Sequence, residues 1–363
     1  MSPAHFVFPR RAVLLLGLLA VAHLSAAEAY KWSVQYLIDN SQAAFGRSQR
    51  VFPRHNRGLA LSADGHFLYA AYHQSFNGSG EVRKIDLRIA DYENATVAVL
   101  PNLRAKAISV DEEGRVYLAC GATIEIYDAD LRLNECTIQM QVCDGVAVTR
   151  EAGSLVVYAT ERDAHTLKRF VLQTRGATIT GAVPSGFNGD GQLAIPHAMS
   201  PRGVAVDPKG RIWIADVEAD KIFRVDRSGA NLTSAEIKSP MAIAFDGNRA
   251  FVTRNVAREI SILDLNMRVI GTLTVPWEEL ELAPFGNNRT GALAEIAVVP
   301  NGNGFYVANE GGQTANQKST YGRTDASSAV IDGKLYTDSF ADDNEPILHA
   351  TPIAATEAPE NNP

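Results

Sequence analysis

The sequence predicts an all-β fold: a six-bladed β-propeller closed by an N-terminal outer strand paired with the C-terminal blade. Three observations carry this. A unit of roughly 40 residues recurs along the chain, a period at which several strands per repeat stack as blades. Each unit holds short apolar runs separated by Gly, Asn and Asp turns. One further strand-length run, residues 31–38, sits ahead of the first unit with no partner beside it.

The units align on their first strands, which begin at Arg57, Lys106, Asp144, Arg202, Met241 and Glu295. Apolar residues follow, as in Gly145-Val-Ala-Val and Gly203-Val-Ala-Val. Tight turns come next, among them Asp64-Gly65, Glu113-Gly114, Lys209-Gly210 and Asp246-Gly247. Such turns need positive φ, which Gly, Asn and Asp adopt cheaply. Second strands span residues 67–72, 116–120, 155–160, 212–216, 250–254 and 305–309. They are nearly all apolar rather than alternating, the pattern of a strand covered on both faces by neighbouring sheets. Third strands end at residues 83–86, 124–128, 168–171, 222–226 and 260–264, and residues 328–336 supply the sixth. Residues 31–38 are left to fill the last outer position, which removes an exposed edge.

The ends of the chain read differently. Residues 1–29 have a basic pair, Arg10 and Arg11, an apolar run over 12–24 and a small-residue stretch, the layout of a signal peptide. That run is too short for a comfortable bilayer span. The mature chain is expected to be exported, periplasmic or extracellular, with no membrane span. Residues 30–337 form the propeller. Residues 338–363 hold six acidic residues and no Lys or Arg, and are expected to be an acidic disordered tail. The net charge of −7 lies mostly there, which leaves no basic face for nucleic acid. Cys120, Cys136 and Cys143 lack zinc-site spacing. They allow one disulfide with a thiol left over, or buried free thiols.

In this topology the loops entering inner strands and those leaving second strands open on one face. Residues 42–56, 176–199, 276–293 and 310–327, the long insertions, all fall there, while the other face has only tight turns. Long loops are where binding residues concentrate. His55, His73, His165 and His197 map to the long-loop face and His66 to the other. A metal site with ligands from several blades would use His55, His73, His197, Asp216 and Glu310, with Ca or Zn as the ion. The ligand-binding set is Arg57, Lys106, Asp144, Arg202 and Glu295 at the channel mouth, with His73, Arg254 and Asn255 beyond the second strands. Guanidinium forks there would hold an anionic or sugar-like ligand. The same charges would equally pair with one another and plug the channel. Asp207 and Asp216 suit plain turn and strand-end hydrogen bonding. Phe187, Trp277 and Phe285 suit stacking on a ligand, or pinning their own loops.

Residues 201–229 open Pro-Arg-Gly-Val-Ala-Val-Asp-Pro-Lys-Gly-Arg-Ile-Trp-Ile-Ala-Asp and resemble an NHL-type repeat. The preceding Gly186-Phe187-Asn188-Gly189-Asp190-Gly191 resembles the element found before many bacterial NHL repeats. Phe251-Val-Thr-Arg-Asn255 and Phe305-Tyr-Val-Ala-Asn309 are similar to YVTN-type repeats. The resemblance implies a superfamily that includes gluconolactonase-like metal-dependent hydrolases, paraoxonase-like lactonases and streptogramin-type lyases. The gluconolactonase metal motifs are not matched, and Ser239-Pro240-Met241-Ala242 stands where a Pro-Asn-Gly would be expected. Two functions stay open. One is a non-catalytic exported propeller binding a small molecule or protein on its long-loop face. The other is a metal-dependent hydrolase or lyase, lactonase-like, with its site at the channel mouth.

Overall fold

The protein, seen here in a computed structural model, is described over residues 30–35, 54–74, 80–89, 95–255, 259–275, 293–300, 304–309, 328–331, 334–337 and 347–352. Every element there is a β-strand, and among the described residues no helix is long and apolar enough to cross a membrane. The first sheet runs Arg54–Leu61, Phe67–Gln74, Glu81–Asp86 and Thr96–Pro101 in chain order. The next two units share one sheet. Asn134–Glu151 is a single strand of 18 residues, outermost in one unit and innermost in the next. Pro201–Val206, Ile212–Asp216, Lys221–Val225 and Thr233–Glu236 form another meander, and Pro240–Asp246 to Val269–Thr274 form the one after it.

The last sheet departs from expectation at its third strand. Ser328–Ile331 pairs with Lys334–Thr337 in a separate hairpin. The third position is taken by Ile347–Pro352, which pairs with Phe305–Asn309. This strand lies inside the stretch read from its composition as a disordered tail. Six residues that include Ile347 and Leu348 are enough to extend a sheet, even where the surrounding segment is acidic. Tyr30–Gln35 pairs antiparallel with Ile347–Pro352, with Trp32 opposite Ala350. The N-terminal strand thus occupies the outer position the sequence assigned to it. A second correction concerns residues 176–199, read as a loop. Thr178–Pro184 is the outer strand of its sheet, and Gln192–Ala194 pairs with Thr166, Leu167 and Lys168. The signal-peptide segment, residues 42–53, 276–292 and 310–327 lie outside the described residues.

Apolar runs are explained by burial on both faces. Leu68 packs with Ala294, Ala297 and Tyr306 of the last sheet, whereas Tyr69 packs with Ile108, Val116 and Leu118 of the second unit. Ile212 and Ile214 face Val156 and Tyr158, while Trp213 and Ala215 face Ile243 and Val252. Phe251 meets Phe305 of the last sheet at 5.3 Å between ring centres. Each fully buried Leu, Ile or Phe contributes about 1.5–3 kcal/mol, so these inter-sheet layers dominate the stability.

The turns after the inner strands add a repeated polar latch. Asp207 Oδ1 accepts from the Lys209 and Arg211 amides, each at 2.9 Å. Its Oδ2 accepts from Arg211 Nε at 2.7 Å and from Trp213 Nε1 at 3.0 Å. Arg211 Nη2 then donates across to Leu265 O of the neighbouring sheet at 2.9 Å. Burial pushes the Asp207 carboxyl up, but these donors outweigh it and hold it below the usual range. The second unit repeats the device. Asp111 accepts from the Arg115 amide and side chain and from Tyr117 Oη, and Arg115 Nη2 donates to Ala177 O at 2.5 Å. Both read Asp-x-x-Gly-Arg-x-aromatic in the sequence. Asp207 is therefore the turn hydrogen-bonder of the plainer reading.

Candidate functional site

Residues of six strands, the first of each unit, line one shared space. Residues following their first positions, from Leu59 to Ala63 and their counterparts, line a space of about 410 Å³ towards the turns. At the other end Arg57, Lys106, Asp144, Arg202, Met241 and Glu295 converge with Gly203 on one small cavity. All five charged residues assigned to the channel mouth by sequence meet there.

The convergence has a local cause that periodicity does not reveal. In five units the ladder slips at the collar residue. Register shifts fall between Asn56 and Gly58, Pro201 and Val204, Pro240 and Ile243, and Leu293 and Ile296. Another falls opposite Asp144, between Thr160 and Glu161. A bulge leaves one residue out of the pairing and re-aims its side chain. The glycine after the bulged residue lets neighbouring strands close in. A Cβ on Gly145 would sit 1.9 Å from Arg202 O, and one on Gly203 would sit 2.5 Å from Met241 O. Threonines tie the same strands together: Thr160 Oγ1 donates to Arg202 O and Thr253 Oγ1 to Ala294 O, each at 2.6 Å.

Close approach makes the collar narrow. Its cavity is about 10 Å³, the room for about one water. A sugar or a carboxylate ligand does not fit inside, so the ligand pocket expected between these residues is not present as a pocket. Part of the collar is internally neutralised, as the plug reading had it. Lys106 pairs with Asp144, and Arg162 Nη1 reaches Asp144 Oδ2 at 3.1 Å. Glu295 faces the same space, and burial pushes its carboxyl up to about 8.

The residues beyond the second strands have structural partners. Glu161 is buried, pairs with Lys168 and accepts from the Gln141 amide at 2.5 Å. Asp216 is fully buried and accepts from the amides of Met199, Ser200 and Ala219 at 2.8, 2.9 and 2.9 Å. It anchors the strand end rather than presenting a carboxylate to a cation. Arg254 pairs with Glu259 and donates from Nε to Lys238 O at 3.1 Å. Asn255 Nδ2 reaches Leu293 O at 3.5 Å. His165 and His197 are exposed, both at positive φ. The side chains of His55 and His73, and Glu310 altogether, lie outside the described residues. Among the described residues no three His, Cys, Asp or Glu side chains are grouped as metal ligands would be.

Phe187 does not stand out for stacking. It packs among Val156, Ile212 and Phe223, its ring centre 6.4 Å from that of Tyr158. Its loop is pinned between two sheets. Trp277 and Phe285 lie outside the described residues. The cysteines are free thiols, Cys143 buried and the other two partly so. Burial pushes the Cys120 thiol up to about 12, which leaves it inert at neutral pH.

Comparison with known proteins places this arrangement. The NHL repeat model matches residues 199–222, which contain the Asp207 latch and the Asp216 anchor. No curated protein matches the chain by sequence. Among solved structures, luciferin-regenerating enzyme is similar with a TM-score of 0.52 and 11% identity, over 90% of this chain and 96% of that one. The RRP9 WD40 repeats are similar with a TM-score of 0.50 and 10% identity, over 77% and 79%. Virginiamycin B lyase from Staphylococcus aureus gives 0.49 and 14% identity, over 90% and 100%. At such identities the likeness speaks to fold alone. The chain carries an NHL repeat over residues 199–222 on an all-β, propeller-like fold.

Proposed function

We propose that the chain is an exported, closed six-bladed propeller that binds a protein partner on the face where its inner strands begin. The packing of each unit against the next, and of the first sheet against the last, supports the ring. Pairing of Tyr30–Gln35 with Ile347–Pro352 supports closure through the last sheet. The observation that carries the binding reading is the size of the collar cavity, about 10 Å³. A channel shut at this level offers a partner a surface rather than a hole. The loops at this end of the strands carry Met199, 56% exposed, and the exposed His165 and His197. Exposed Met and His beside a charged rim suit a protein surface better than a small apolar ligand.

The test compares faces. Met199→Asp with His197→Asp alters the collar face, and Lys209→Asp alters the exposed turn at the opposite end. With a partner recovered from the exported fraction, calorimetric titration should show affinity reduced about tenfold or more by the first pair and unchanged by the second. Equal effects from both would sink the assignment of the face. N-terminal sequencing of the mature protein tests export, with a start near residue 30 expected. Stoichiometric Ca or Zn in the purified protein would turn the reading towards the hydrolase or lyase.

A further inference from the structure

The space of about 410 Å³ on the turn side of the collar plays no part in the partner-binding face. Its walls are the first strands of the six units. Over the lining residues each of these strands pairs on one side only, with the second strand of its own unit. The opposite edge has no strand beside it and borders the space. One donor there is already taken, since the Val148 amide donates to Ser109 Oγ at 3.1 Å. An open edge is a row of N–H and C=O groups that another amide backbone can pair.

The floor of the space carries one chemical group. Glu295 lines both the larger space and the collar cavity of about 10 Å³ that shuts it. Among the described residues of the larger lining it is the only ionisable side chain. Burial alone pushes its carboxyl up to about 8, with no charged neighbour and no hydrogen bond contributing. Arg57, Lys106, Asp144 and Arg202 face it from the collar side. Lys106 is paired with Asp144, and both arginines have interactions of their own. At neutral pH the Glu295 carboxyl therefore keeps its proton and is an O–H donor without an acceptor. At the other end the lining reaches Pro300 and the exposed Ala63 at the turns. From Leu59 to Ala63 a strand rises about 13 Å.

We propose that this space is a binding site for a short, uncharged, extended peptide that enters from the turn end and places a carbonyl on Glu295. Chemistry decides the class. A peptide backbone offers N–H and C=O groups in alternation, as an open strand edge requires. Its end carbonyl accepts from the protonated carboxyl at the floor. Small apolar side chains suit walls that include Val110, Val206 and Val298. A charged terminus would be buried at a floor that offers no counter-ion, a cost that a neutral end avoids. The site lies at the opposite end of the strands from Met199 and His197, so it does not rest on what docks there.

The experiment is calorimetric titration of the full chain with acetyl-trialanine-amide and with trialanine itself, the same peptide with both ends charged. The blocked peptide is expected to bind more tightly by about tenfold or more. Its affinity should fall as pH rises through about 8, by up to about tenfold per pH unit, as the Glu295 donor is lost. Glu295→Gln keeps an N–H donor of similar shape, so its affinity for the blocked peptide should persist in alkali. A crystal of the complex should show the peptide between the first strands with its end at Glu295. Equal affinity for the two peptides, or no binding of the blocked one, would overturn the proposal. So would one pH profile shared by the wild type and Glu295→Gln, or a peptide seated elsewhere on the chain.

Discussion

The two ends of the inner strands are built on opposite logics. At the turn end the second and fourth units use the same chemistry, with Asp111 and Asp207 each gripping an arginine that reaches the next unit. At the collar end no such repetition exists. Arg, Lys, Asp, Arg, Met and Glu follow one another around a shared cavity. The turn end joins sheets through side chains and can be copied from unit to unit. The collar end joins them backbone to backbone, through glycine, and leaves each side chain free to differ. Repetition marks what the fold needs; variation marks where a particular chain departs from its repeat. That contrast directs attention to the collar, although the NHL-matched residues lie mostly in scaffold.

The largest effect should come from spoiling the backbone contact. Gly145→Ala would put a methyl 1.9 Å from Arg202 O, against a strand that cannot retreat without opening the collar. A loss of about 4 kcal/mol or more is expected, read as a drop in the denaturant midpoint. Gly153→Ala is the control at the turn end. Its φ is +87° with nothing within 4 Å, so only local strain of about 1–2 kcal/mol should appear. Comparable losses at the two glycines would remove the distinction between the ends.

Breaking a latch should cost less. Asp207→Ala strips Arg211 and Trp213 Nε1 of their shared acceptor in a site where the carboxylate is completely buried. Removing one member of such a network is expected to cost about 3 kcal/mol. Asp111→Ala should match it within about 1 kcal/mol, because its donors are the same in kind. Asp64 is different. It sits exposed in the first unit, hydrogen-bonded to Ser62 and His66, and Asp64→Ala should cost under about 1 kcal/mol. If all three lose the same amount, the latch is not the repeated element it is taken to be.

How far the sequence reaches follows the same division. Inner strands, turns and the sorting of loops to faces were legible, because glycine turns and apolar runs recur at fixed offsets. The members of the collar were legible too, since each opens its strand. The bulges at Arg57, Asp144, Arg202, Met241 and Glu295 were not, because one slipped residue leaves the apolar pattern on either side intact. The small glycine or alanine that follows four of these residues was the available signal. Continuity of Asn134–Glu151 was hidden because an outer and an inner strand have the same composition. Ile347–Pro352 was hidden by the acidic residues before it, which dominate any average over the tail. The narrowness of the cavity has no sequence signature at all: it depends on distances between strands that are remote along the chain.

The smallest expected effect concerns Glu295 and carries a sign. Its carboxyl is raised from about 4.5 to about 8 by burial, so the native state keeps a proton that the unfolded chain releases. Stability from this group is full below about 4.5 and is lost as pH rises through about 8. Glu295→Gln removes that loss. The variant should show a flatter stability profile than the wild type. It should be more stable at alkaline pH, by about 1–2 kcal/mol. The measurement is a set of urea unfolding curves across that range. A latch carboxylate such as Asp207 has the opposite sign, since its pKa is lowered and its stabilisation fades only in acid. Opposite pH slopes from Glu295 and Asp207 would separate the two ends of the same channel by titration alone. Parallel slopes would mean that Glu295 has found a cation, and that the collar is a closed ion-pair network.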